Sequence, residues 1–193
     1  AQAVRERLAE LAMAEARFEV VLREREGGYG PRGRDAVEFL IAPNAGLPGG
    51  PLRELASGGE LSRVMLALLS TAHGVAGRGD GKPKGVGAAA GAALLVFDEV
   101  DAGIGGHTAR AVGAHLRELA AGRQLLCITH LPQVAAMAAT HFTIVKDGSR
   151  RPAITTVNAL DQDGVVGELM RMLGADADDA AAEGHARELL KAA

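Results

Sequence analysis

The feature that most constrains the fold is the stretch from Leu94 to Gly106, which reads Leu-Leu-Val-Phe-Asp-Glu-Val-Asp-Ala-Gly-Ile-Gly-Gly. Its four leading apolar residues, Leu94 to Phe97, predict a strand buried on both faces, as in parallel sheets covered by helices. Asp98 and Glu99 follow at the carboxyl end of that strand, where open α/β sheets bind ligands. Because unpaired carboxylates are costly to desolvate, the pattern favours one acid that holds Mg²⁺ and one that orients a water in phosphoryl transfer. The alternative is a strand that ends in an ordinary polar loop.

A second apolar strand is predicted over 124–129, after a helix over 108–121. A strand, a helix and a strand within about 35 residues form a βαβ unit, whose strands are parallel and whose crossover is right-handed. His130 follows the second strand, so we expect it at the same sheet edge as Asp98 and Glu99. A histidine there is a candidate contact for a phosphate or a water. A lone histidine after a strand is otherwise an ordinary loop residue.

A helix is predicted to begin at Ser57 and to continue through Leu69. Ser57 and Glu60 have the spacing of a capping box, which is a sufficient structural reason for both. The capping box does not explain Gly58 and Gly59, since each glycine inside a helix costs about 0.5–1 kcal/mol relative to alanine. Paired glycines at a helix start let a phosphate approach the free backbone N–H groups. The pattern therefore favours an anion site.

The other patterns predict elements around these motifs. They are strands at 17–26 and 35–42, a hairpin formed by 141–146 and 153–160, and helices at 133–139, 165–173 and about 178–192. Residues 28–33 match G-x-G-x-x-G, but Pro31 intervenes and a strand follows where a dinucleotide site needs a helix, so a hairpin turn is predicted instead. Residues 1–16 predict an amphipathic helix, either on the surface or as the end of a coiled coil. The Gly/Ala-rich segment 72–93 predicts a flexible insertion.

Composition narrows the class of protein. The chain has 193 residues, a net charge of −3 and a single cysteine, Cys127. One cysteine in an apolar run indicates a reducing compartment without disulfides. No apolar run reaches the roughly 18 residues of a membrane span, and no signal peptide is recognisable, so we expect a cytoplasmic protein without a membrane partner. A net negative charge provides no broad basic surface, so any DNA contact is local or made elsewhere in an assembly.

The motifs, in this order, resemble those of ABC-type ATPases and more specifically the RecN family of SMC-like bacterial DNA-repair ATPases. The long matches are Leu-Ala-Ser-Gly-Gly-Glu-Leu-Ser-Arg at 55–63, Phe-Asp-Glu-Val-Asp-Ala-Gly-Ile-Gly-Gly at 97–106 and Cys-Ile-Thr-His-Leu-Pro-Gln-Val-Ala-Ala at 127–136. In the terms of the family they contain a signature motif (Ser57–Glu60), a Walker B strand (Leu95–Glu99), a D-loop (Asp101–Gly103) and a switch histidine (Thr129-His130). The resemblance extends over nearly the whole chain.

The resemblance implies an α/β fold, the C-terminal lobe of an ABC-type (RecA-like) ATPase with a mostly parallel sheet flanked by helices and with antiparallel hairpin strands. Residues 1–16 would be the foot of a coiled-coil arm and residues 17–193 the lobe. The implied function is ATP hydrolysis in repair and recombination of double-strand breaks, in the cytoplasm at the nucleoid. The implied partners are an N-terminal lobe of the same protein that carries Walker A, a second head in a homodimer, and DNA.

The resemblance also implies roles for residues, with ATP and Mg²⁺ as ligands. Asp98 would order Mg²⁺ through its water shell, Glu99 would act as the base for the hydrolytic water, and His130 would contact the γ-phosphate. The remaining implied nucleotide-binding residues act across the dimer: Ser57, Gly58, Gly59 and Glu60 of the signature face a nucleotide held by the opposite subunit, and Asp101 couples the two sites.

A chain without Walker A is not expected to bind ATP alone. Micromolar affinity corresponds to about −8 kcal/mol, whereas a helix N-terminus contributes about 0.3–2 kcal/mol toward an anion. Rival interpretations are a condensin-like SMC head, a transporter nucleotide-binding domain, and a non-catalytic dimerisation module. Transporter domains usually have Pro-Thr after Walker B, where this chain has Val100-Asp101. Intact acids and histidine argue against a vestigial module.

Overall fold

The computed structural model describes residues 1–31, 33–46, 48–54, 57–77, 94–149 and 151–193, which contain both helices and strands. In chain order the elements are α1 (Gln2–Glu10), β1 (Arg17–Glu24), β2 (Asp35–Ala42), β3 (Gly50–Pro51), α2 (Gly58–Gly77), β4 (Leu94–Phe97), α3 (Gly106–Ala120), β5 (Gln124–Cys127), α4 (Pro132–Ala135), β6 (Phe142–Asp147), β7 (Ile154–Ala159), α5 (Gln162–Met172) and α6 (Ala180–Lys191).

The predicted insertion at 72–93 needs a correction at its beginning. Residues 72–77 belong to α2, which runs to Gly77. The helix continues through two alanines, Ala72 and Ala76, although Gly74 and Gly77 are poor helix formers. The rest of the predicted insertion, 78–93, lies outside the described residues.

The predicted βαβ unit is confirmed. Strands β4 and β5 pair in parallel, with Leu94 opposite Gln124 and Phe97 opposite Cys127, and α3 forms the crossover between them. Parallel pairing is confined to these two strands in the described part of the chain. The other two sheets, β1-β2-β3 and β6-β7, are antiparallel. The α/β class with antiparallel hairpins is thus confirmed.

The prediction that β4 is buried on both faces is wrong for this chain. Phe97 is buried and Leu95 is partly buried, but Leu94 and Val96 are 53% and 56% exposed. Successive side chains of a strand point to opposite faces, and the core covers only one of them. Strand β5 and the residue after it repeat the pattern, since Leu126 and Ile128 are 46% and 48% exposed. The two strands therefore leave an apolar face open, which we call the open face and define as Leu94, Val96, Leu126 and Ile128.

Strands β1 and β2 form the predicted antiparallel pair, from Arg17 opposite Ala42 to Glu24 opposite Asp35. The described residues of the segment 28–33 lie between these strands, as predicted, with a bridge between Gly30 and Gly33. At the base of the pair, Phe18 packs on Phe39 with ring centroids 5.7 Å apart. The contact between the two rings connects the sheet to the main core.

The main core lies between α1, β1, α2, β4 and α3. Its largest fully buried side chains are Leu8, Leu11, Phe18, Val64, Leu66, Val100, Val112 and Leu119. A smaller cluster joins α5 to α6 and includes Val166, Leu169, Ala186 and Leu189. Because α1 contributes Val4 and Leu8 to the main core, it is an integral part of this fold.

Several helix boundaries differ from the predicted ones. Helix α5 begins at Gln162 because the Asp161 side chain accepts a hydrogen bond from the Gly164 N–H at 2.8 Å, which caps the helix. Helix α4 begins at Pro132 and is only four residues long. Within the described residues, no helix combines the length and the apolar character that crossing a lipid bilayer requires.

Candidate functional site

The two acids that follow β4 lie at the exposed carboxyl edge of the parallel strands. Asp98 and Glu99 are both exposed. Glu99 has a left-handed backbone, with φ of 57°, a conformation that non-glycine residues seldom adopt and that costs of order 1 kcal/mol or more. A turn continues behind it, since the Ala102 N–H donates to the Glu99 carbonyl oxygen at 3.1 Å. The backbone conformation thus directs the Glu99 side chain away from the path of the strand.

The Glu99 side chain lies against the first residue of α2. A Cβ atom built on Gly58 would be 2.8 Å from Glu99 Oε2, so the carboxylate and the helix N-terminus are in contact. Ser57 caps this helix, because its Oγ accepts a hydrogen bond from the Glu60 N–H at 3.4 Å. Ser57 and Gly58 are exposed. The first turn of α2 and an acid of the β4 loop therefore share one surface.

Gly59 also has a packing role, which the sequence motif does not reveal. A Cβ atom there would be 2.9 Å from the Ala102 Cβ and 3.2 Å from the Glu99 carbonyl oxygen. Real Cβ atoms essentially never approach a neighbour as closely as the first distance, and the second is tight, so a side chain here would force a shift. Gly59 therefore favours close packing of α2 on the 98–102 turn, and ligand access alone does not account for it.

Two side chains of α2 that the motif analysis did not single out hold the same turn. Ser62 Oγ donates to the Asp98 carbonyl oxygen at 3.0 Å, and Arg63 Nη1 donates to the Ala102 carbonyl oxygen at 2.8 Å. Both residues are inside the stretch 55–63 that carries the family resemblance. These two hydrogen bonds show that Ser62 and Arg63 lie on the side of α2 that meets the turn.

Arg63 is buried, with 7% of its surface exposed, and its Nε has no hydrogen-bond partner among the described residues. Burial lowers the pKa of the Arg63 guanidinium, and the nearby Glu60 carboxylate opposes that shift. Burial of a cation costs free energy unless the charge is paired and hydrogen-bonded. Arg63 has such a hydrogen bond, to the Ala102 carbonyl oxygen. Arg63 therefore serves to fix the turn to the helix.

Asp101 and His130 meet at the other side of the turn. The Asp101 carboxylate is almost fully buried, with 2% exposure. Its Oδ2 accepts hydrogen bonds from Thr129 Oγ1 at 2.5 Å and from the His130 N–H at 3.0 Å. The His130 ring is 69% exposed, with Nδ1 3.2 Å from the same oxygen. The expectation that the histidine lies at the edge that carries the acids is confirmed.

The structure thus brings the predicted site residues to one edge. The start of α2 contacts Glu99, and the turn that carries Asp98 and Glu99 contacts the His130 segment through Asp101. Asp101 differs from the others because its carboxylate points into its own chain.

Cys127 ends β5 beside this edge. Burial, together with the nearby Asp101 and Asp98 carboxylates, raises the pKa of its thiol to about 12. Thiolates, and not neutral thiols, act as nucleophiles and metal ligands. Cys127 is therefore a packing residue.

A Mg²⁺ site can be built from protein side chains alone or be completed by substrate phosphates. Among the described residues, no group of three or more His, Cys, Asp or Glu side chains is placed to hold a metal ion. Mg²⁺ usually keeps several waters and binds through one or two carboxylates together with substrate phosphates. The exposed Asp98 at a strand end fits this mode, so the residues present suit an ion that arrives with a nucleotide.

Comparison with known proteins gives clear relatives by sequence. No model of a protein family matches the chain. The DNA repair protein RecN of Treponema pallidum is 43% identical over 187 residues, which is 94% of this chain and 30% of the relative. RecN of Streptomyces coelicolor is 41% identical over 204 residues, covering 100% of this chain and 33% of the relative. The chain spans about a third of the length of these curated relatives.

Solved structures give the fold. The Smc head domain with a coiled coil and joint from Pyrococcus yayanosii superposes with a TM-score of 0.54 at 19% identity, over 90% of this chain and 28% of that one. The Smc head domain with an extended coiled coil from Pyrococcus furiosus, solved with the C-terminal domain of ScpA, gives 0.51 at 19% identity, over 90% and 36%. The described residues therefore adopt the fold of an SMC head lobe.

Proposed function

The chain matches the C-terminal lobe of RecN, an SMC-like ATPase, and on that premise we propose that it supplies one part of a composite ATP site in a DNA-repair protein. The observation that carries the proposal is that Asp98 and Glu99 lie exposed at the carboxyl edge of the parallel strands, where the exposed His130 ring also lies. Acids and an imidazole at such an edge, together with a helix N-terminus, are groups that phosphate recognition and phosphoryl transfer use.

Each group at the edge has a role in this proposal. Asp98 holds Mg²⁺ through its water shell, Glu99 accepts a proton from the hydrolytic water, and the His130 ring contacts the γ-phosphate. When bound, Mg²⁺ neutralises charge on the phosphates. The left-handed backbone of Glu99 supports its role, because strained residues of this kind concentrate at functional sites.

The start of α2 has a separate role. Ser57 and Gly58 are exposed, and the free N–H groups of a first helical turn favour an anion. We assign Ser57, Gly58, Gly59 and Glu60 to a nucleotide held by a second head. Two heads then enclose two nucleotides, each contacted by the acids of one subunit and the signature of the other.

The rest of the protein supplies what this chain lacks. The open face and the exposed Phe142, Ile144 and Val157 of the β6–β7 pair are apolar surfaces of a kind that usually marks an interface. We assign the open face to an N-terminal lobe of the same protein that carries Walker A. Residues 1–16 are then the foot of the arm that joins the lobes. DNA contact lies elsewhere in the assembly, in keeping with the net charge of −3.

The test is Glu99→Gln in the full-length protein. The neutral amide cannot accept the proton, so ATP hydrolysis falls by about 100-fold or more while ATP binding stays within about threefold of wild type. The ATP-bound dimer accumulates, which light scattering measures. Asp163→Asn is the matched control, since Asp163 is an exposed acid of α5 with no role in the proposed site, and it leaves both quantities unchanged. Hydrolysis at the wild-type rate in Glu99→Gln would remove Glu99 from the catalytic role.

A further inference from the structure

The Asp101 carboxylate is buried and makes its hydrogen bonds inside its own chain through Oδ2. Its Oδ2 accepts from Thr129 Oγ1 and from the His130 N–H, and the His130 Nδ1 lies 3.2 Å away. All three contacts go to one two-residue segment, 129–130. Thr129 Oγ1 also accepts a hydrogen bond from the Leu131 N–H at 3.1 Å. The carboxylate therefore organises the backbone that carries the exposed imidazole.

Because the Asp101 carboxylate is buried, it depends on hydrogen-bond donors from its own chain. A carboxylate has acceptors only, and a buried one is costly unless donors satisfy it. Hydrogen bonds to a charged group are stronger than those between neutral groups, so the 129–130 segment is held more firmly than an ordinary loop. An Asp101 side chain that turned outward to a nucleotide would abandon these donors. The geometry opposes a direct nucleotide contact by Asp101.

The other end of the turn is equally fixed. Ser62 and Arg63 of α2 hold the carbonyl oxygens of Asp98 and Ala102, on either side of Glu99. A displacement of Asp101 would move His130 relative to a turn that α2 keeps in place. The distance between the imidazole and the acids is thus set through Asp101.

We propose that Asp101 is a positioning residue, which fixes the His130 imidazole relative to Glu99 within one subunit and does not contact nucleotide across the dimer. Its consequence for hydrolysis rests on the proposed ATPase function. Its consequence for the 129–131 segment does not rest on that function.

The structural half is tested by hydrogen–deuterium exchange of the full-length protein. Asp101→Ala removes the acceptor, so amides of the 129–131 segment exchange about 10-fold faster or more. Asp101→Asn keeps one oxygen acceptor and gives a smaller increase. Asp98→Asn is the control on the same turn and leaves this segment unchanged, as do the α3 amides in every variant that folds. Unchanged exchange at 129–131 in a folded Asp101→Ala protein would overturn the proposal.

The catalytic half is tested by a double-mutant cycle on ATP hydrolysis. Asp101→Asn lowers kcat by about 10- to 100-fold, because small misplacements of a catalytic group have effects of this size, and KM for ATP changes by less than about threefold. In a His130→Ala background the same change costs less than about threefold, since the group through which Asp101 acts is absent.

The outcomes separate the two proposals. Equal losses in both backgrounds, together with a raised KM, would indicate a nucleotide contact across the dimer and would refute positioning. Full-length protein without any ATP hydrolysis would refute the proposed function, while the exchange experiment would still decide whether Asp101 holds the segment.

Discussion

Gly58 and Gly59 are neighbours in the sequence but have different surroundings. The Cβ position at Gly59 meets the Ala102 Cβ and the Glu99 backbone, which have no freedom to move separately from the turn. The Cβ position at Gly58 meets only Glu99 Oε2, the end of an exposed side chain that has other rotamers. A side chain is therefore excluded by packing at Gly59 but not at Gly58, although the two glycines are adjacent in one motif.

Alanine at the two positions should have opposite effects on stability. Gly59→Ala overpacks α2 against the 98–102 turn and lowers the free energy of unfolding by about 1–3 kcal/mol. Gly58→Ala displaces only the Glu99 carboxylate and gains about 0.5–1 kcal/mol of helix propensity, so it is neutral or stabilising. Urea unfolding of the two variants measures the difference. Equal effects would contradict the contacts assigned to Gly59.

Strands β4 and β5 present an open face on one side and join the core on the other. If the N-terminal lobe covers that face, a charge placed there affects the whole protein far more than this chain alone. Val96→Asp should shift the Tm of the isolated chain by no more than about 2 °C and that of the full-length protein by several degrees. Ala114→Asp, on an exposed position of α3, is the control and shifts both equally. If Val96→Asp shifted the Tm of the isolated chain and of the full-length protein equally, the N-terminal lobe would not cover the open face.

The sequence predicted the element types around the site because the patterns there are unambiguous. Apolar runs at 94–97 and 125–128 and the helical spacing between them favour a βαβ unit. The burial of β4 was mispredicted because an apolar run records how much surface must be covered, and not which segment covers it. The inward direction of Asp101 was also missed, since an acid that binds a ligand and an acid that binds its own backbone look alike in a sequence. The contact at Gly59 depends on a turn 40 residues away.

If the proposed function holds, the 193 residues supply only part of an ATP site, and their ATP affinity should reflect that. The described residues contribute a helix N-terminus, acids and a histidine, which together fall short of the roughly 8 kcal/mol that micromolar binding requires. Calorimetry of residues 1–193 with MgATP should therefore detect no binding at micromolar concentrations. The full-length protein, titrated under the same conditions, is the positive control. Micromolar affinity in the isolated chain would show that the site is complete without another lobe.

Cys127 has a practical consequence. With the thiol pKa at about 12, only roughly one molecule in a hundred thousand carries a thiolate near pH 7. Maleimides and iodoacetamides therefore react slowly with the native sulfur. A cysteine introduced at an exposed position outside the proposed site, such as Ser149 after β6, would take up a fluorophore first, so head closure becomes observable by energy transfer without removal of the natural residue.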